Sequence, residues 1–278
     1  MYRDRLMKKG FGRRITQVVA AVLYNCNIKG FATGHIYKGK IKGLCVPGLN
    51  CYSCPGAVGA CPLGSLQSGL LSLSTLKKIP YYVLGILILS GLLLGRFICG
   101  FLCPFGLLQE LLDKIPVKKI KKNRVTAVLA YLKYVILAVF VIIIPLAFKF
   151  PGFCKFICPA GTLEGGIPLL IANESLRKIA GFLFSWKCGV LLVILILCVF
   201  CHRAFCRFLC PLGALYSLFN PVSFFGIKVD KEKCNGCNAC VRHCKMDVKK
   251  VCDKECVQCG DCREVCAQNA ISYGVKLH

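Results

Sequence analysis

The stretch CGFLCPFGLLQ at residues 99–109 returns as CRFLCPLGALY at 206–216, and CPLGSLQ at 61–67 returns as CPAGTLE at 158–164. Four Cys-Pro-x-Gly sites in matched order mark an internal duplication. Each half reads span, Cys-Pro loop, span, Cys-Pro loop. Each proline ends regular pairing and each glycine is expected to let the backbone turn, so that the thiols point inward. Two such halves can pack about a pseudo-twofold axis, as duplicated transporters do. The pattern predicts a mostly α membrane protein, with a pseudo-twofold four-helix transmembrane domain and Cys-Pro re-entrant loops over residues 1–226.

Four apolar stretches flank these motifs. Residues 15–32 read as a weak first span, since they carry Asn25, Asn27 and Lys29. Residues 79–95 are uncharged and just long enough to cross. Residues 125–148 are the strongest span, interrupted only by Lys133, and a fourth runs over about 179–201. A span needs about 20 apolar residues. Residues 43–76 are also uncharged but rich in Gly, Pro and Cys, which argues against a simple helix. Irregular backbone at membrane depth is tolerated only where protein covers it, so a re-entrant loop around a cofactor is expected there. Residues 207–228, broken by Pro211, Gly213 and Asn220-Pro221, read as an interfacial helix and turn.

Composition agrees with a membrane class. The 278 residues are 56% hydrophobic, with a mean hydropathy of +0.64, which excludes a disordered or fibrous chain. The 37 Lys and Arg against 12 Asp and Glu give a formal charge of +25. Most of that excess lies before Gly226, in the apolar part, which points to anionic lipid and topology rather than nucleic acid. The basic start, MYRDRLMKKGFGRR, precedes no small-residue cleavage site, so no cleaved signal is expected. Lys and Arg are denser at the amino end and in 96–124 than in 34–78 and 149–178. The positive-inside rule then predicts a multi-pass cell-membrane protein with both termini cytoplasmic. Cys99, Cys103, Cys206 and Cys210 fall near the cytoplasmic face, and Cys51, Cys54, Cys61, Cys154 and Cys158 near the outer one.

The 23 cysteines are too clustered, and the chain too long and apolar, for a disulfide scaffold. CNGCNACVRHC at 234–244 and CVQCGDCREVC at 256–266 both follow C-x2-C-x2-C-x3-C. In this spacing the fourth cysteine of each run ligates the other cluster. Cys234, Cys237, Cys240 and Cys266 are assigned to one [4Fe–4S] cluster, and Cys256, Cys259, Cys262 and Cys244 to the second. Gly236 and Gly260 suit the tight turns required. The expected unit is a small α+β two-cluster ferredoxin domain over 227–278. The proline usual after the fourth cysteine is replaced by Lys245 and Ala267. A structural zinc site is the bland alternative.

Cys99, Cys103, Cys206 and Cys210 offer four thiolates, two per half, suited to an iron–sulfur cluster or zinc. Cys51, Cys54, Cys61, Cys154 and Cys158 offer five candidates for four positions. A Cys154–Cys158 disulfide and plain apolar packing are the alternatives. Packing is the expected role of Cys26, Cys188, Cys198 and Cys201, while Cys45 and Cys252 lack a motif partner. His35, His202, His243 and His278 form no facing pair for a haem. No GxGxxG or Walker motif supports a nucleotide.

These residues resemble the NapH/NosR-type membrane polyferredoxins, in which CxxxCP motifs in a small helical membrane domain precede two ferredoxin cluster motifs. NCYSCPGAVGACPLGSLQ at 50–67 is similar to stand-alone members that bind 4Fe–4S clusters. The resemblance and the wire reading below point to an oxidoreductase electron-transfer component, favoured over a self-contained enzyme. Its partners are membrane lipid and a cytoplasmic donor such as ferredoxin or a reductase. The acceptor is an extracytoplasmic flavin or metal redox protein, or quinone. The residues themselves imply a wire, because a hydrocarbon core about 30 Å thick exceeds one useful electron hop. The expected order is ferredoxin clusters, then the 99/103/206/210 site, then the 51/54/61/154/158 site. A quinol dehydrogenase subunit and a copper-reducing or metal-maturation protein are the alternative functions.

Overall fold

The computed structural model describes residues 2–76, 79–120 and 122–276; His278, and Lys77, Lys78 and Lys121 within the basic loops counted for topology, lie outside them. Among the described residues the fold is mostly helical, with one two-stranded antiparallel sheet formed by β1 (Phe225–Val229) and β2 (Ile271–Val275). Phe225 pairs with Val275 and Val229 with Ile271, so the ladder closes the segment that carries both ferredoxin-type motifs. The domain boundary expected at 226/227 falls inside β1.

Among the described residues, two helical stretches are long and apolar enough to cross a membrane, Arg124–Phe148 and Phe182–Phe200. Both stretches present outward apolar side chains, such as Val128, Val135, Leu192 and Val193. The Tyr81–Leu94 helix is apolar but has 14 residues. At 1.5 Å per residue it spans about 21 Å, less than the hydrocarbon core. The expected first span is not one helix. The Tyr2–Tyr24 helix ends there, and a separate Ile28–Thr33 helix follows. Asn25 and Asn27 are spent on the loop between 50 and 55: Asn25 Nδ2 donates to Asn50 Oδ1 at 2.9 Å and Asn27 Nδ2 to the Pro55 carbonyl at 2.8 Å. Their side chains compete with helix continuation for hydrogen bonds.

Local chemistry shapes the long span. Asn123 and Thr126 form a capping box at its start. The stretch Leu137–Ile143 widens into a π-helix just before Pro145, and Gly161–Gly166 does the same before Pro168. A proline clashes with the carbonyl four residues earlier, and a wider turn relieves that clash.

Lys133, the one charge inside the span, is fully buried and paired with Glu255 of the carboxy-terminal segment. Arg96, also fully buried, meets the same carboxylate at 3.2 Å. Arg207 pairs with Asp247 and Arg13 with Glu110 and Asp261. Asn220 Nδ2 bonds the carbonyls of Asp253 and Cys256 at 2.6 and 3.0 Å. Phe97 and Phe101 pack edge-on against Tyr273. The carboxy-terminal segment is thus seated on the helical domain through ion pairs, a buried amide network and an aromatic cluster.

Candidate functional site

Each Cys-Pro motif starts a helix. Pro62, Pro104 and Pro211 open the helices Pro62–Leu76, Pro104–Leu112 and Pro211–Phe219. Proline is favoured there because its missing N–H would be unpaired anyway. The cysteine before the proline holds extended backbone at the cap position, as Cys103 and Cys210 do. The glycine three residues after that cysteine aims its N–H at the thiol. Gly213 N lies 3.3 Å from Cys210 Sγ and Gly161 N 3.3 Å from Cys158 Sγ. Gly106 and Gly64 serve Cys103 and Cys61 in the same way. This corrects the turn reading of these glycines, since none of the four has a positive φ. A helix N-terminus favours a negative sulfur, so the repeated unit can hold a thiolate once a metal takes its proton. At Gly106 a Cβ would also meet the Cys99 carbonyl at 3.0 Å.

Cys99, Cys103, Cys206 and Cys210 are all buried and lie within mutual electrostatic range. Two buried arginines cross between the halves around them. Each stands three residues before the first cysteine of its own motif. Arg203 Nη1 donates to the Cys99 carbonyl at 2.7 Å, and Arg96 Nη2 to the Cys206 carbonyl at 3.4 Å. The sequence shows the shared R-x-x-C spacing, yet only the fold reveals that each arginine serves the other half's cysteine.

Cys51, Cys61, Cys154 and Cys158 line one cavity of about 780 Å³ with Ser65, Ser68 and Lys187. Cys54 is absent from that lining. Its thiol lies 3.6 Å from Asn25 Oδ1 and near Lys42. The reason for the fifth candidate is visible in the repeat. Three motifs read C-x3-C-P, but Ala57 stands four residues before Cys61, and Cys51 comes in from the loop instead. Glu164 Oε2 accepts from Cys51 N at 2.7 Å and fixes that loop. Cys154 and Cys158 are free thiols, not a disulfide.

The two buried sites are close neighbours. Leu49 N–H faces the Cys103 thiol, and Cys51 follows two residues later. Two residues of extended chain reach about 7 Å at most. Tyr216, fully buried, lies in range of Cys99 and Cys103 on one side and Cys61 on the other.

In the ferredoxin-type segment, Cys244, Cys256, Cys259 and Cys262 line one small cavity. These are the four assigned from spacing to the second cluster. Gly236 and Gly260 hold φ of 72° and 89°, which glycine alone adopts freely. Burial pushes the Cys256 thiol up to about 11, with Cys252 and Cys244 adding to the rise. Burial, then Cys256, Cys244 and Cys240, push Cys262 up to about 12. Crowded buried thiols stay protonated unless a cation replaces the protons, which is how metal binding drives ligand ionisation. The other set is more open. Cys234 and Cys237 are exposed in an irregular loop, Cys240 stands on the Ala239–His243 helix in range of Cys262, and Cys266 follows the Asp261–Glu264 helix.

This cavity abuts the helical domain. A Cβ on Gly100 would fall 2.4 Å from the Val257 carbonyl, so residue 100 must lack a side chain for the Cys99 and Cys256 segments to touch. Arg203 lies in range of both Cys206 and Cys259. Among the described residues, no three His, Cys, Asp or Glu side chains converge tightly enough for a single metal ion. A cubane takes its ligands at separate corners.

A 4Fe-4S binding domain pattern matches residues 82–123, 132–169 and 182–231, and another matches 227–250. An uncharacterized protein of Methanocaldococcus jannaschii is 31% identical over 223 residues, or 77% of this chain and 85% of that protein. The ferredoxin-type protein NapH of Escherichia coli is 23% identical over 200 residues, 67% of this chain and 64% of NapH. The regulatory protein NosR of Pseudomonas aeruginosa is 26% identical over 186 residues, 63% of this chain but 24% of NosR. The chain belongs to the NapH/NosR-type family of 4Fe-4S polyferredoxins. No solved structure matches it.

The residues fit the group that this polyferredoxin family binds. The donor sets are all-thiolate, which suits iron–sulfur clusters. At the 780 Å³ cavity, Asn50 Nδ2 is a buried donor with no partner among the described residues. A buried donor at a cavity wall suits an acceptor held inside. The polyferredoxin motifs also conceal four residues that spacing alone does not single out. Gln67, Gln109, Glu164 and Tyr216 each stand six residues after the cysteine of a Cys-Pro step, and each reaches into the opposite half. Aligning the four repeats would have found three polar residues and one tyrosine at that position.

Proposed function

We propose that this polyferredoxin is a membrane-bound iron–sulfur electron-transfer protein, linking cytoplasmic ferredoxin-type clusters to an extracytoplasmic acceptor. Bound [4Fe–4S] clusters supply one-electron carriers, two in the ferredoxin domain and two in a pseudo-twofold four-helix membrane domain with re-entrant Cys-Pro loops. The ligands would be Cys234, Cys237, Cys240 and Cys266; Cys244, Cys256, Cys259 and Cys262; Cys99, Cys103, Cys206 and Cys210; and Cys51, Cys61, Cys154 and Cys158.

The observation that supports this reading is that each cysteine set shares electrostatic range with a group near the next set. Exposed Cys234 and Cys237 offer a docking point for a soluble donor. Cys240 lies by Cys262, Arg203 by both Cys259 and Cys206, and Tyr216 by Cys103 and Cys61. The chain's own residues set spacing, exclude water and hold positive charge by buried sulfur. Both termini lie in the cytoplasm on this reading. Anaerobic iron and sulfide analysis tests it. Four clusters give about 16 iron per chain by cluster arithmetic. A value of about eight restricts the reading to the ferredoxin domain.

A second reading has one observation in its favour. An apolar cavity of about 430 Å³ lies between the ends of the two long spans, walled by Leu129, Ile194, Leu197 and Phe205. Phe205 adjoins Cys206, so a quinol held there would sit beside the buried set. Quinol-dependent reduction of the purified protein without a soluble donor would favour a quinol dehydrogenase subunit.

A further inference from the structure

Two glutamines of the first half grip cysteines of the second with the same geometry. Gln109 Nε2 donates to Cys206 Sγ at 3.0 Å, while Phe205 N and Cys206 N donate to its Oε1 at 3.1 and 3.3 Å. Gln67 Nε2 donates to Cys154 Sγ at 3.1 Å, while Phe153 N donates to its Oε1 at 3.1 Å. Both side chains are fully buried. A backbone N–H can only donate, so it must face the amide oxygen. That requirement turns the amide nitrogen to the sulfur and removes the usual ambiguity of amide orientation. The matching residues of the second half behave differently. Glu164 accepts from Cys51 N, and the Tyr216 hydroxyl donates to the Pro47 carbonyl at 3.0 Å. Glutamine therefore stands at the two repeat positions that face a thiol.

We propose that Gln67 and Gln109 are positioning residues that raise the reduction potential of the cluster at each buried site by an N–H···S hydrogen bond to one ligand. This inference rests on the cluster reading above. Reduction adds one electron, taken from the external donor, and so one negative charge spread over the cluster and its thiolates. No proton moves. A fixed donor aimed at a ligand sulfur stabilises the more negative state more, and the dry surroundings weaken screening of that difference. The oxygen end of each amide meanwhile holds the backbone that precedes the ligand, so one side chain both places the sulfur and polarises it.

The test uses the full chain, purified anaerobically, in a potentiometric titration followed by EPR. Gln109→Glu keeps an acceptor for the Phe205 and Cys206 N–H groups but replaces the N–H donor by a carboxyl group, and Gln109→Met, which removes the donor without adding charge, must shift the potential the same way. The expected result is unchanged iron per chain, with the signal that depends on Cys206 shifted to lower potential. A tenfold fall in the reduced-to-oxidised ratio at fixed poise is expected, about 59 mV for one electron. Gln67→Glu should move only the signal that depends on Cys154. Full iron content with both potentials unmoved overturns the proposal. If the variants lose iron, the wild-type chain labelled with 15N at glutamine side chains decides. Nitrogen coupling in both reduced membrane-site signals supports the hydrogen bonds, and its absence overturns them. About eight iron in the wild type, by contrast, removes the cluster reading itself.

Discussion

Glu255 holds two fully buried cations, Lys133 and Arg96, at the junction of the helical domain and the ferredoxin-type segment. Replacing it by Gln keeps size and some hydrogen bonding but removes the countercharge. Breaking a buried pair by removing one partner costs about 3–5 kcal/mol, because the remaining charge is uncompensated. Glu255 itself is 15% exposed, so the lower end, about 3 kcal/mol, is the appropriate figure. At 1.4 kcal/mol per factor of ten, undocking of the segment becomes about 10²-fold more frequent. Amide hydrogen exchange over residues 253–260, in anaerobic detergent solution, reads that opening directly. Exchange there should accelerate about 10²-fold while the Phe182–Phe200 helix is unchanged. Lys133→Met alone should do less, since Arg96 keeps its carboxylate. Adding Lys133→Met to Glu255→Gln should recover part of the loss, as expected for coupled residues. An exchange rate within about threefold of wild type in Glu255→Gln refutes the latch.

Gly100→Ala puts a Cβ 2.4 Å from the Val257 carbonyl. It should leave total iron unchanged but slow electron transfer from the ferredoxin-type segment to the buried sites at least tenfold in stopped-flow reduction; an unchanged rate argues that the two segments need not touch. Cys54→Ser should retain about 16 iron, whereas Cys51→Ser should lose the outer-site EPR signal; the reverse pattern makes Cys54 the ligand. Cys103→Ser and Cys210→Ser should alter one and the same EPR signal, because the two halves share a site; two different lost signals contradict the sharing.

The ferredoxin-type cysteines stood out in the sequence because their spacing follows a repeated ligand pattern. That pattern places Cys244 with Cys256, Cys259 and Cys262, and one cavity is lined by those four thiols. The duplication was also legible, since each Cys-Pro-x-Gly step starts a helix, whereas Cys54-Pro55, which lacks that glycine, sits in a turn. Three features were not. The choice between Cys51 and Cys54 depends on a loop held by Glu164, Asn25 and Asn27, whose partners lie far apart in sequence. The first span was weak in hydropathy because of Asn25, Asn27 and Lys29, but that these asparagines end the helix after Tyr24 came only from the fold. The short link between the two buried sets is also set by the fold and not by spacing. Leu49 and Cys51, two residues apart, touch one set and belong to the other. Lys133 stood out as a flaw in an apolar run, and its explanation, Glu255, lies 122 residues away.

The most direct measurement of the central claim places the protein in sealed liposomes with a membrane-impermeant low-potential reductant on the ferredoxin-domain side. The account predicts that the EPR signal lost in Cys51→Ser becomes reduced in the wild type. It also predicts that this signal stays oxidised in Cys103→Ser and Cys210→Ser, while the ferredoxin-domain signals are reduced in all three proteins. Reduction of the outer signal at the wild-type rate in either variant contradicts a relay through the shared site.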